Sequence, residues 1–423
     1  MANPYINKVI LGNETLLDLT ADTVTAGKLA SGITAHDKSG APITGTAKLG
    51  SAYQDQDGYI VLGDDESDAP QGTLSITANG TYDVADYAGA NVAIPVGMTE
   101  TDLKNFIQRS NSFTDIDWPD GITTIGAYAF AYCRYFNPSS LPSTIRYIRE
   151  YAFYYCNLRS LTSLPSRVDT IGVRAFANSD IVSITIPDTA ENIAYYTFYY
   201  CRSLVQVTLP SSMTSIPYGM FEYCSSLSSI IIPSSVTDIG NTAFHDCASI
   251  TLSSLPSGLT SIGQSAFCGC AGITSISCDG AITSLGSSAF IGDSNYAMTL
   301  VSASFPNMAL TSNIGSVFGA SSYACQLLEF CDIGSTVGIN GNAFANCYAL
   351  QTLVLRKSDA ICTLANVSAF TNTPMSGYNS LTGTVYVPQA LISTYQTATN
   401  WSTLYNAGTV TFAAIEGSEY ELD

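Results

Sequence analysis

The chain has 423 residues, of which 46% are hydrophobic and only 12% are charged, and its formal net charge is −19. A chain of this length can bury a sizeable core without small-scaffold staples. The negative charge repels phosphate backbones and anionic lipid headgroups, so the composition argues against nucleic acid and membrane surfaces as partners.

The ends of this chain and its apolar runs bear on where it folds. Residues 1–20 lack the basic start and the continuous apolar stretch of a secretory signal, which predicts synthesis and folding in the cytosol. No apolar run approaches the roughly 18 residues of a membrane-spanning helix. The 12 cysteines are too few for a small disulfide scaffold, so we expect free thiols.

Residues 6–47 contain short apolar-polar alternations broken by glycine turns, which predict a small β attachment module over residues 1–50. Residues 51–98 are predicted to form a β-hairpin module or linker, because Asn79-Gly80 separates two alternating stretches. The acidic residues between 55 and 68 predict a solvated loop. A calcium loop is the alternative, with oxygen ligands present but without the regular spacing or the terminal Glu.

The segment ITANGTYDVADYAGANVAIP, like residues 6–47, resembles modules at the start of structural proteins in phages of Gram-positive gut bacteria. This resemblance implies that residues 1–97 attach the chain to other virion proteins. Residues 99–110 then predict a short helix, capped by Thr99, whose apolar side could close the first unit of the following repeat.

Residues 111–380 repeat a short motif, Ile-Gly-x-x-Ala-Phe-x-x-Cys, followed by an apolar-polar alternation and a Pro-Ser turn. The phenylalanines that mark the register are Phe130, Phe153, Phe176, Phe198, Phe221, Phe244, Phe267 and Phe290, continued at wider spacing by Phe318, Phe344 and Phe370. The first eight follow one another at intervals of 22 or 23 residues.

A unit of this size cannot bury its apolar face alone, so successive units are predicted to stack as the coils of a solenoid. The phenylalanines and the strand aliphatics then form columns inside the stack. The glycine four residues before the phenylalanine, as in Gly172 and Gly240, predicts a tight backbone bend.

The repeated motif resembles the BspA-like leucine-rich repeats of bacterial surface and secreted proteins. The resemblance covers about residues 111–380 and implies a right-handed coil, a parallel sheet on one face, and a role in adhesion and recognition. After it, residues 381–423 predict an α+β cap: a strand at 383–388, a helix over 388–401 opened by Pro388, and a last strand at 410–415. The predicted fold class is therefore a β-rich solenoid with a small all-β N-terminal region and a C-terminal α+β cap.

Chemistry-bearing residues are few in this sequence, which argues against an enzyme. Only two histidines are present, His36 and His245. We interpret His245 as a surface residue beside a core cysteine. The alternative is that His245 and Cys247 form a nucleophile pair. Cys268, Cys270 and Cys278 could suggest zinc, but a second paired motif is missing. We expect the repeated cysteines to form a column of buried thiols, and we predict no cofactor and no metal.

The positions two before and two after each phenylalanine vary while the core positions stay constant. Stacking turns them into a lateral stripe, rich in tyrosine in the first coils and small or acidic later. Its tyrosines, the predicted ligand-binding residues, are Tyr128, Tyr132, Tyr151, Tyr155, Tyr196, Tyr200 and Tyr223. Tyrosine is a rigid amphipathic contact residue, suited to sugar rings and protein hot spots. The alternative is that these rings only shield the coil edge.

The leading hypothesis from the sequence is a phage tail protein whose first 97 residues bind the virion and whose solenoid recognises a glycan or protein on the host surface. A bacterial cell-surface or secreted adhesin is the alternative, and a structural spacer on the particle is the third. The oligomeric state is open and includes a homo-oligomer.

Overall fold

The computed structural model describes residues 118–422 except 119–120, 135 and 320–322, and before residue 118 only the backbone of eight short strands. Six of these form antiparallel pairs: β1 (Lys8–Leu11) with β2 (Glu14–Asp18), β3 (Thr34–His36) with β4 (Pro42–Thr44), and β5 (Ala52–Gln54) with β6 (Ile60–Leu62). β7 (Asn91–Ala93) pairs in parallel with β8 (Asp115–Asp117). The predicted Asn79-Gly80 hairpin and the helix at 99–110 lie outside the described residues. Of the predicted acidic loop at 55–68, only Ile60–Leu62 is described, and these residues form β6 instead of loop; the acidic side chains lie outside the described residues.

From residue 121 onwards the chain is a β-solenoid of stacked coils, as predicted. Most coils carry a first short strand just before the phenylalanine motif. These strands are β9 (Thr124–Ile125), β10 (Tyr147–Ile148), β11 (Thr170–Ile171), β13 (Asn192–Ile193), β15 (Ser215–Ile216), β17 (Asp238–Ile239), β18 (Ser261–Ile262), β20 (Ser284–Leu285), β23 (Gly338–Ile339) and β25 (Thr363–Leu364).

A second series of strands follows the motif. It comprises β12 (Ser183–Thr185), β14 (Gln206–Thr208), β16 (Ser229–Ile230), β19 (Ser275–Ser277), β21 (Ser302–Ser304), β22 (Phe330–Asp332) and β24 (Thr352–Val354). Within each series, neighbouring coils pair in parallel, so parallel pairing is confirmed, whereas the single sheet that the resemblance implied is replaced by two separate series.

The eleven marker phenylalanines form one buried column through the stack. Each has no exposed surface, and successive ring centroids lie 5.1 to 5.7 Å apart with the rings within 15° of parallel. Burying each ring stabilises the fold by roughly 1.5 to 3 kcal/mol. The wider sequence spacing after Phe290 leaves the column unbroken, because Phe290 and Phe318 still stack at 5.7 Å.

Both tryptophans of the chain lie at the ends of this column. The ring of Trp118 is 5.5 Å from Phe130 at the first coil, and the ring of Trp401 is 5.8 Å from Phe370 at the last. A stack of coils exposes an apolar ring at each end unless something covers it. The two largest aromatic side chains therefore close the column.

The glycines before the phenylalanine motif have a different reason from the predicted tight bend. Gly172, Gly240, Gly263 and Gly286 do not have a left-handed backbone. A side chain at Gly240 would lie 2.8 Å from the backbone nitrogen of Tyr218 in the preceding coil, and the other three meet backbone atoms in the same way. Glycine is needed here because successive coils approach too closely for a Cβ atom.

The cysteines form the column of buried thiols that we predicted. All 12 lie within the described residues, all are buried, and none forms a disulfide. From the second coil onwards, the repeated thiols donate to the phenylalanine carbonyl of the preceding coil, as Cys201 Sγ does to Phe176 O at 3.0 Å and Cys247 Sγ to Phe221 O at 3.1 Å. Each thiol thus fills core space and satisfies a buried carbonyl.

The C-terminal cap continues the second sheet series. β26 (Gly383–Val387) pairs with β24, and β27 (Val410–Ala414) pairs with β26. The helix predicted over 388–401 is broken: a 3-10 turn (Gln389–Leu391) leads into α1 (Ile392–Thr397), and α2 (Trp401–Asn406) follows after Asn400, which has a φ of 65°. Further 3-10 turns occupy Val367–Phe370, Pro374–Ser376 and Tyr378–Ser380.

The break in the helix lets the cap close the last coil with hydrogen bonds. The Tyr395 hydroxyl accepts from the Cys362 N–H at 2.7 Å, and the Trp401 indole donates to the Cys362 carbonyl at 2.8 Å. Both rings are fully buried. In the part of the chain that the structure describes, no helix has the length and apolarity needed to cross a bilayer.

Candidate functional site

The variable positions beside each phenylalanine have an unusual backbone. The residues two before and two after the phenylalanine adopt a left-handed conformation in most coils, including Tyr128 and Tyr132 in the first (φ 59° and 68°) and Thr242 and Asp246 in the sixth (φ 49° and 59°). A left-handed conformation costs a non-glycine residue roughly 1 to 2 kcal/mol. Because most coils bear this cost, the left-handed residues must stabilise the fold in another way.

Hydrogen bonds between coils provide that benefit. The backbone N–H groups of Tyr128, Phe130 and Tyr132 donate to carbonyls of the next coil at 3.0, 2.8 and 2.6 Å. The N–H groups between them, such as that of Ala129, donate back within their own coil. The left-handed residues therefore let alternate N–H groups point along the stack, which leaves their side chains projecting from the edge of the coil.

The projecting side chains of the first five coils form a continuous surface that we call the aromatic face. It contains Tyr128, Tyr132, Tyr151, Tyr154, Tyr155, Arg174, Tyr196, Tyr199, Tyr200 and Tyr223. Tyr128 stacks on Tyr151 with ring centroids 4.7 Å apart, and Tyr132 stacks on Tyr155 at 5.6 Å. The structure thus brings all seven predicted tyrosines onto one side of the stack.

Arg174 occupies the coil in which the tyrosine series is interrupted. Its guanidinium lies 5.9, 4.7 and 5.3 Å from the ring centroids of Tyr151, Tyr196 and Tyr199, and it donates to the Tyr151 hydroxyl at 3.2 Å. Cation–π contacts of this kind are worth about 0.5 to 2 kcal/mol each. Arg174 therefore joins the aromatic residues of the second coil to those of the fourth.

The aromatic face is partly packed and partly open. The side chains of Tyr132 and Tyr155 are 54% and 39% exposed, whereas the other predicted tyrosines are half-buried against their neighbours. A shallow groove of about 670 Å³ adjoins the face and is lined by Tyr151 and Tyr195, with Glu150, Glu191 and Asn192. Rings beside carboxylates and an amide can stack on an apolar surface and hydrogen-bond to hydroxyl groups.

Burial and nearby charge shift the ionisation of these tyrosines. Burial, followed by the Glu222 carboxylate, raises the pKa of Tyr223 to about 12. Burial and then Tyr151 raise the pKa of Tyr128, and burial raises the pKa of Tyr196. The hydroxyls therefore remain protonated donors at neutral pH.

Sequence reasoning missed three contributors to the face. Tyr154 and Tyr199 stand one residue after the phenylalanine, and their rings fill the gaps between the flanking tyrosines, with Tyr154 at 5.4 Å from Tyr132 and Tyr199 at 5.2 Å from Tyr196. Arg174 stands at a flanking position that holds tyrosine in the coils on either side, Tyr151 and Tyr196. The signal for the backbone was available, because the two flanking positions never hold Val, Ile or Leu and take Asn, Asp or Gly in several coils.

At the sixth coil the aromatic face gives way to a polar group that we call the buried cluster: Glu222, His245, Asp246, Cys268 and Asp293. His245 Nδ1 lies 3.5 Å from Glu222 Oε1, and His245 Nε2 lies 3.8 Å from Asp246 Oδ1 and 3.4 Å from Asp293 Oδ2. The imidazole thus has carboxylates on both sides.

The buried cluster corrects two expectations. His245 is not a surface residue, because its side chain is only 17% exposed, and Cys247 is not its partner, because that thiol donates to Phe221 O in the core. Of the three cysteines considered for zinc, Cys268 alone joins a group of potential ligands, together with His245 and Asp293. The thiol of Cys270 instead donates to Phe244 O.

Ionisation in the buried cluster is strongly coupled to burial and to neighbouring groups. Burial lowers the pKa of His245, but the Cys268 thiol and the Glu222 carboxylate outweigh burial and raise it to about 10. Burial raises the pKa of Asp246 to about 6, although the hydrogen bond from the Asn295 amide acts in the opposite direction and lowers it. For Asp293, burial is outweighed by the N–H groups of Tyr296 and Asn295, so its pKa is lowered.

Comparison with known sequences identifies the repeat. The family model of the BspA type Leucine rich repeat region matches residues 99–181, 169–297 and 300–389, in six copies. These matches cover more than half of the chain. Among curated proteins, no relative matches the chain.

Several solved structures are similar to the chain. A leucine-rich repeat protein from Bacteroides ovatus is 18% identical, with 88% of this chain and 99% of that one covered and a TM-score of 0.42. A leucine rich cell surface protein from Faecalibacterium prausnitzii is 21% identical, with 80% and 94% covered and a TM-score of 0.34. The pneumococcal vaccine antigen PcpA is 15% identical, with 87% and 98% covered and a TM-score of 0.39.

Proposed function

The chain belongs to the BspA-type leucine-rich repeat family, and from that premise we propose that it is a non-enzymatic recognition protein whose aromatic face binds a glycan on a cell surface. Solenoids of this repeat type are typical of bacterial adhesin-like surface proteins. The single observation that carries the proposal is the continuous surface of tyrosine rings from Tyr128 to Tyr223, bridged in the third coil by Arg174, with Tyr132 and Tyr155 exposed.

The chemistry of the face favours sugars over other ligands. A sugar ring offers an apolar side that stacks on an aromatic ring and hydroxyl groups that need hydrogen-bond partners. Tyr132 and Tyr155 supply the rings, and Glu150, Glu191 and Asn192 supply polar atoms in the adjoining groove. Because the net charge is −19, we expect a neutral glycan to be preferred over one rich in phosphate or carboxylate.

A binding measurement on the intact chain tests this function. The chain is screened on an array of bacterial cell-wall and capsular glycans, and the best hit is measured by calorimetry with a Tyr132→Ser/Tyr155→Ser variant. We expect the double variant to lose at least about tenfold in affinity, because hot-spot aromatics dominate such contacts. The Tyr323→Ser variant is the matched control, since Tyr323 is similarly exposed at 46% but lies outside the aromatic face.

Two outcomes would contradict the proposal. Binding that survives the double substitution in a folded protein places the ligand elsewhere. If neither glycans nor whole bacterial cells bind the native chain, the rings serve only to shield the coil edge, and a spacer role is favoured.

The setting of this recognition has two candidates. The bacterial cell surface agrees with the family, whereas a phage tail is supported by the resemblance of residues 6–47 and of ITANGTYDVADYAGANVAIP to virion modules. In the second setting, residues 1–97 would bind other virion proteins. Gold-labelled antibody against the solenoid, imaged by electron microscopy on intact cells and on purified particles, separates them: label on the tail supports the virion, and label confined to the cell envelope supports the adhesin.

A further inference from the structure

The buried cluster brings together side chains of the types that bind metal ions. Its members come from four successive coils, with Glu222 in the fifth, His245 and Asp246 in the sixth, Cys268 in the seventh and Asp293 in the loop that follows the eighth phenylalanine. Imidazole nitrogen, thiol sulfur and carboxylate oxygen from His245, Cys268 and Asp293 lie within 4.8 Å of one another. These are the three atom types that bind zinc in proteins.

The two aspartates each direct one oxygen towards the imidazole. Asp293 Oδ1 accepts the backbone N–H groups of Asn295 and Tyr296 at 2.7 and 2.9 Å. Asp293 Oδ2 faces His245 Nε2 at 3.4 Å and also accepts from the Asn295 side-chain amide at 3.4 Å. Asp246 Oδ2 accepts from the Asn295 amide at 2.7 Å, which leaves Oδ1 on the same side of the imidazole. The surrounding loop therefore fixes both carboxylates with their second oxygens converging.

Asp246 is the residue that most needs a further partner. Its side chain is only 2% exposed, and its Oδ1 atom has no hydrogen-bond partner. Leaving a buried carboxylate oxygen unsatisfied costs roughly 1 to 3 kcal/mol or more, so such an atom calls for an explanation. Gly269 makes the space for it, because a Cβ atom there would collide with Asp246 Oδ1.

We propose that His245, Asp246, Cys268 and Asp293 form a binding site for a zinc ion. Zinc bonds to nitrogen and oxygen of about 2.0 to 2.2 Å in a tetrahedron place two such ligand atoms about 3.3 to 3.6 Å apart. The distance from His245 Nε2 to Asp293 Oδ2, 3.4 Å, lies in that range, and the distance to Asp246 Oδ1, 3.8 Å, is slightly longer, so Asp246 would move closer on binding. A thiolate with an imidazole favours zinc over calcium or magnesium, which take oxygen ligands.

Glu222 fits this site as a positioning residue. Its Oε1 atom lies 3.5 Å from His245 Nδ1, on the opposite side of the ring from the aspartates. Metal-binding imidazoles commonly donate their second N–H to a carboxylate, which fixes the ring orientation and the tautomer. The same carboxylate also accepts from the Thr242 hydroxyl at 2.9 Å, which holds it in place.

The position of the site indicates what zinc would do. The loop at 291–298 contains no strand and follows the last regularly spaced phenylalanine, where the spacing widens from 23 to 28 residues. A zinc ion held by Asp293 together with His245, Asp246 and Cys268 would tie this loop to the sixth and seventh coils. We therefore assign the site a structural role at the junction between the regular and the irregular coils.

The test uses the full chain without an affinity tag, stripped of metal by a chelator. Zinc is titrated by calorimetry, and cobalt is added separately because a thiolate ligand gives an intense near-ultraviolet charge-transfer band. We expect one ion per chain, loss of at least about tenfold in zinc affinity in Asp293→Asn and Cys268→Ser, and no cobalt–thiolate band in Cys268→Ser. Cys278→Ser and His36→Ala are the matched controls and should bind as the native chain does.

Folding of each variant is checked by circular dichroism, and hydrogen exchange of residues 291–298 with and without zinc gives a readout independent of affinity. Slower exchange in the native chain but not in Asp293→Asn supports the site. The proposal is overturned if the folded native chain binds neither ion stoichiometrically, in which case the cluster is a network of imidazolium and carboxylates. It is equally overturned if Asp293→Asn and Cys268→Ser, with native circular dichroism, both bind zinc as tightly as the native chain.

Discussion

The phenylalanine column and the residues that flank it belong to the same short segment of each coil, yet they follow opposite rules. Phe198 is fully buried between Phe176 and Phe221, and every coil keeps a phenylalanine at that position. Two residues away, Tyr196 and Tyr200 have a left-handed backbone, and the equivalent positions change from coil to coil. Packing therefore fixes the first position, whereas the second is limited chiefly by backbone conformation and is free to acquire a binding role.

The largest expected effect comes from the column itself. Phe198→Ala should lower the free energy of unfolding by about 3 to 5 kcal/mol, because it removes a buried ring and leaves a cavity between two others. Tyr132→Ser, on the aromatic face, should cost no more than about 1.5 kcal/mol, the value of a stacked aromatic pair. Urea denaturation of both variants measures the difference, and equal losses would mean that column and face are not energetically distinct.

A smaller loss is expected from the thiol column. Cys247→Ala removes the donor to Phe221 O and leaves a small void, which we expect to cost about 1 to 3 kcal/mol. Cys247→Ser should cost less, because a hydroxyl can donate to the same carbonyl and Ser179 already occupies the equivalent buried position in the third coil. Denaturation under reducing conditions compares the two, and a serine variant as unstable as the alanine variant would argue against the hydrogen bond.

At the flanking positions, the effect of a substitution on stability should depend on the backbone conformation that the new residue tolerates rather than on its polarity. Tyr155 has a φ of 56°, so Tyr155→Val should destabilise the fold by at least about 1 kcal/mol more than Tyr155→Asn, because asparagine adopts this conformation readily whereas valine adopts it only at a higher cost. Thermal unfolding of the two variants gives the comparison. The same ranking should be absent at Tyr195, whose backbone is not left-handed. If Val and Asn are equivalent at Tyr155, backbone conformation does not limit this position.

The smallest effect is a dependence on alkaline pH. The pKa of Tyr223 is raised from 10.0 to about 12, so the folded state favours the protonated hydroxyl. The stabilisation from this residue is therefore fully present below pH 10 and is lost as the pH rises towards 12. Unfolding measured across this range should show a weaker decline in Tyr223→Phe than in the native chain, and identical declines would show that another group titrates.

The sequence was sufficient to predict the structural features that recur from coil to coil. The spacing of the phenylalanines and cysteines predicted the stack, the aromatic column and the buried thiols, because each depends on contacts between equivalent positions of neighbouring coils. The predicted reason for the glycines, a tight bend, was wrong. A close approach between two coils and a tight bend both favour glycine, so the sequence alone does not distinguish them. Tyr154 and Tyr199 were missed because the position directly after the phenylalanine holds tyrosine in only these two coils, fewer than either flanking position.

What does not repeat could not be predicted. Asp293 meets His245 across 48 residues, and this contact depends on the path of one irregular loop. Similarly, the predicted single helix of the cap is broken at Asn400, where the chain turns so that Trp401 can cover the end of the column. Such contacts are decided by tertiary packing, which overrides local pattern.

The interlocking of coils through identical partners has an evolutionary consequence. In the regular coils that carry the cysteine, the thiol contacts a carbonyl of the preceding coil, and each phenylalanine contacts a phenylalanine on either side, so these coils present the same contact surfaces to their neighbours. Duplication or deletion of one such unit would keep these core contacts at the new junction while lengthening or shortening the array of side chains at its edge. The length of the solenoid and the size of the ligand that it contacts could thus change with the number of repeats, while the contacts of the core stay the same.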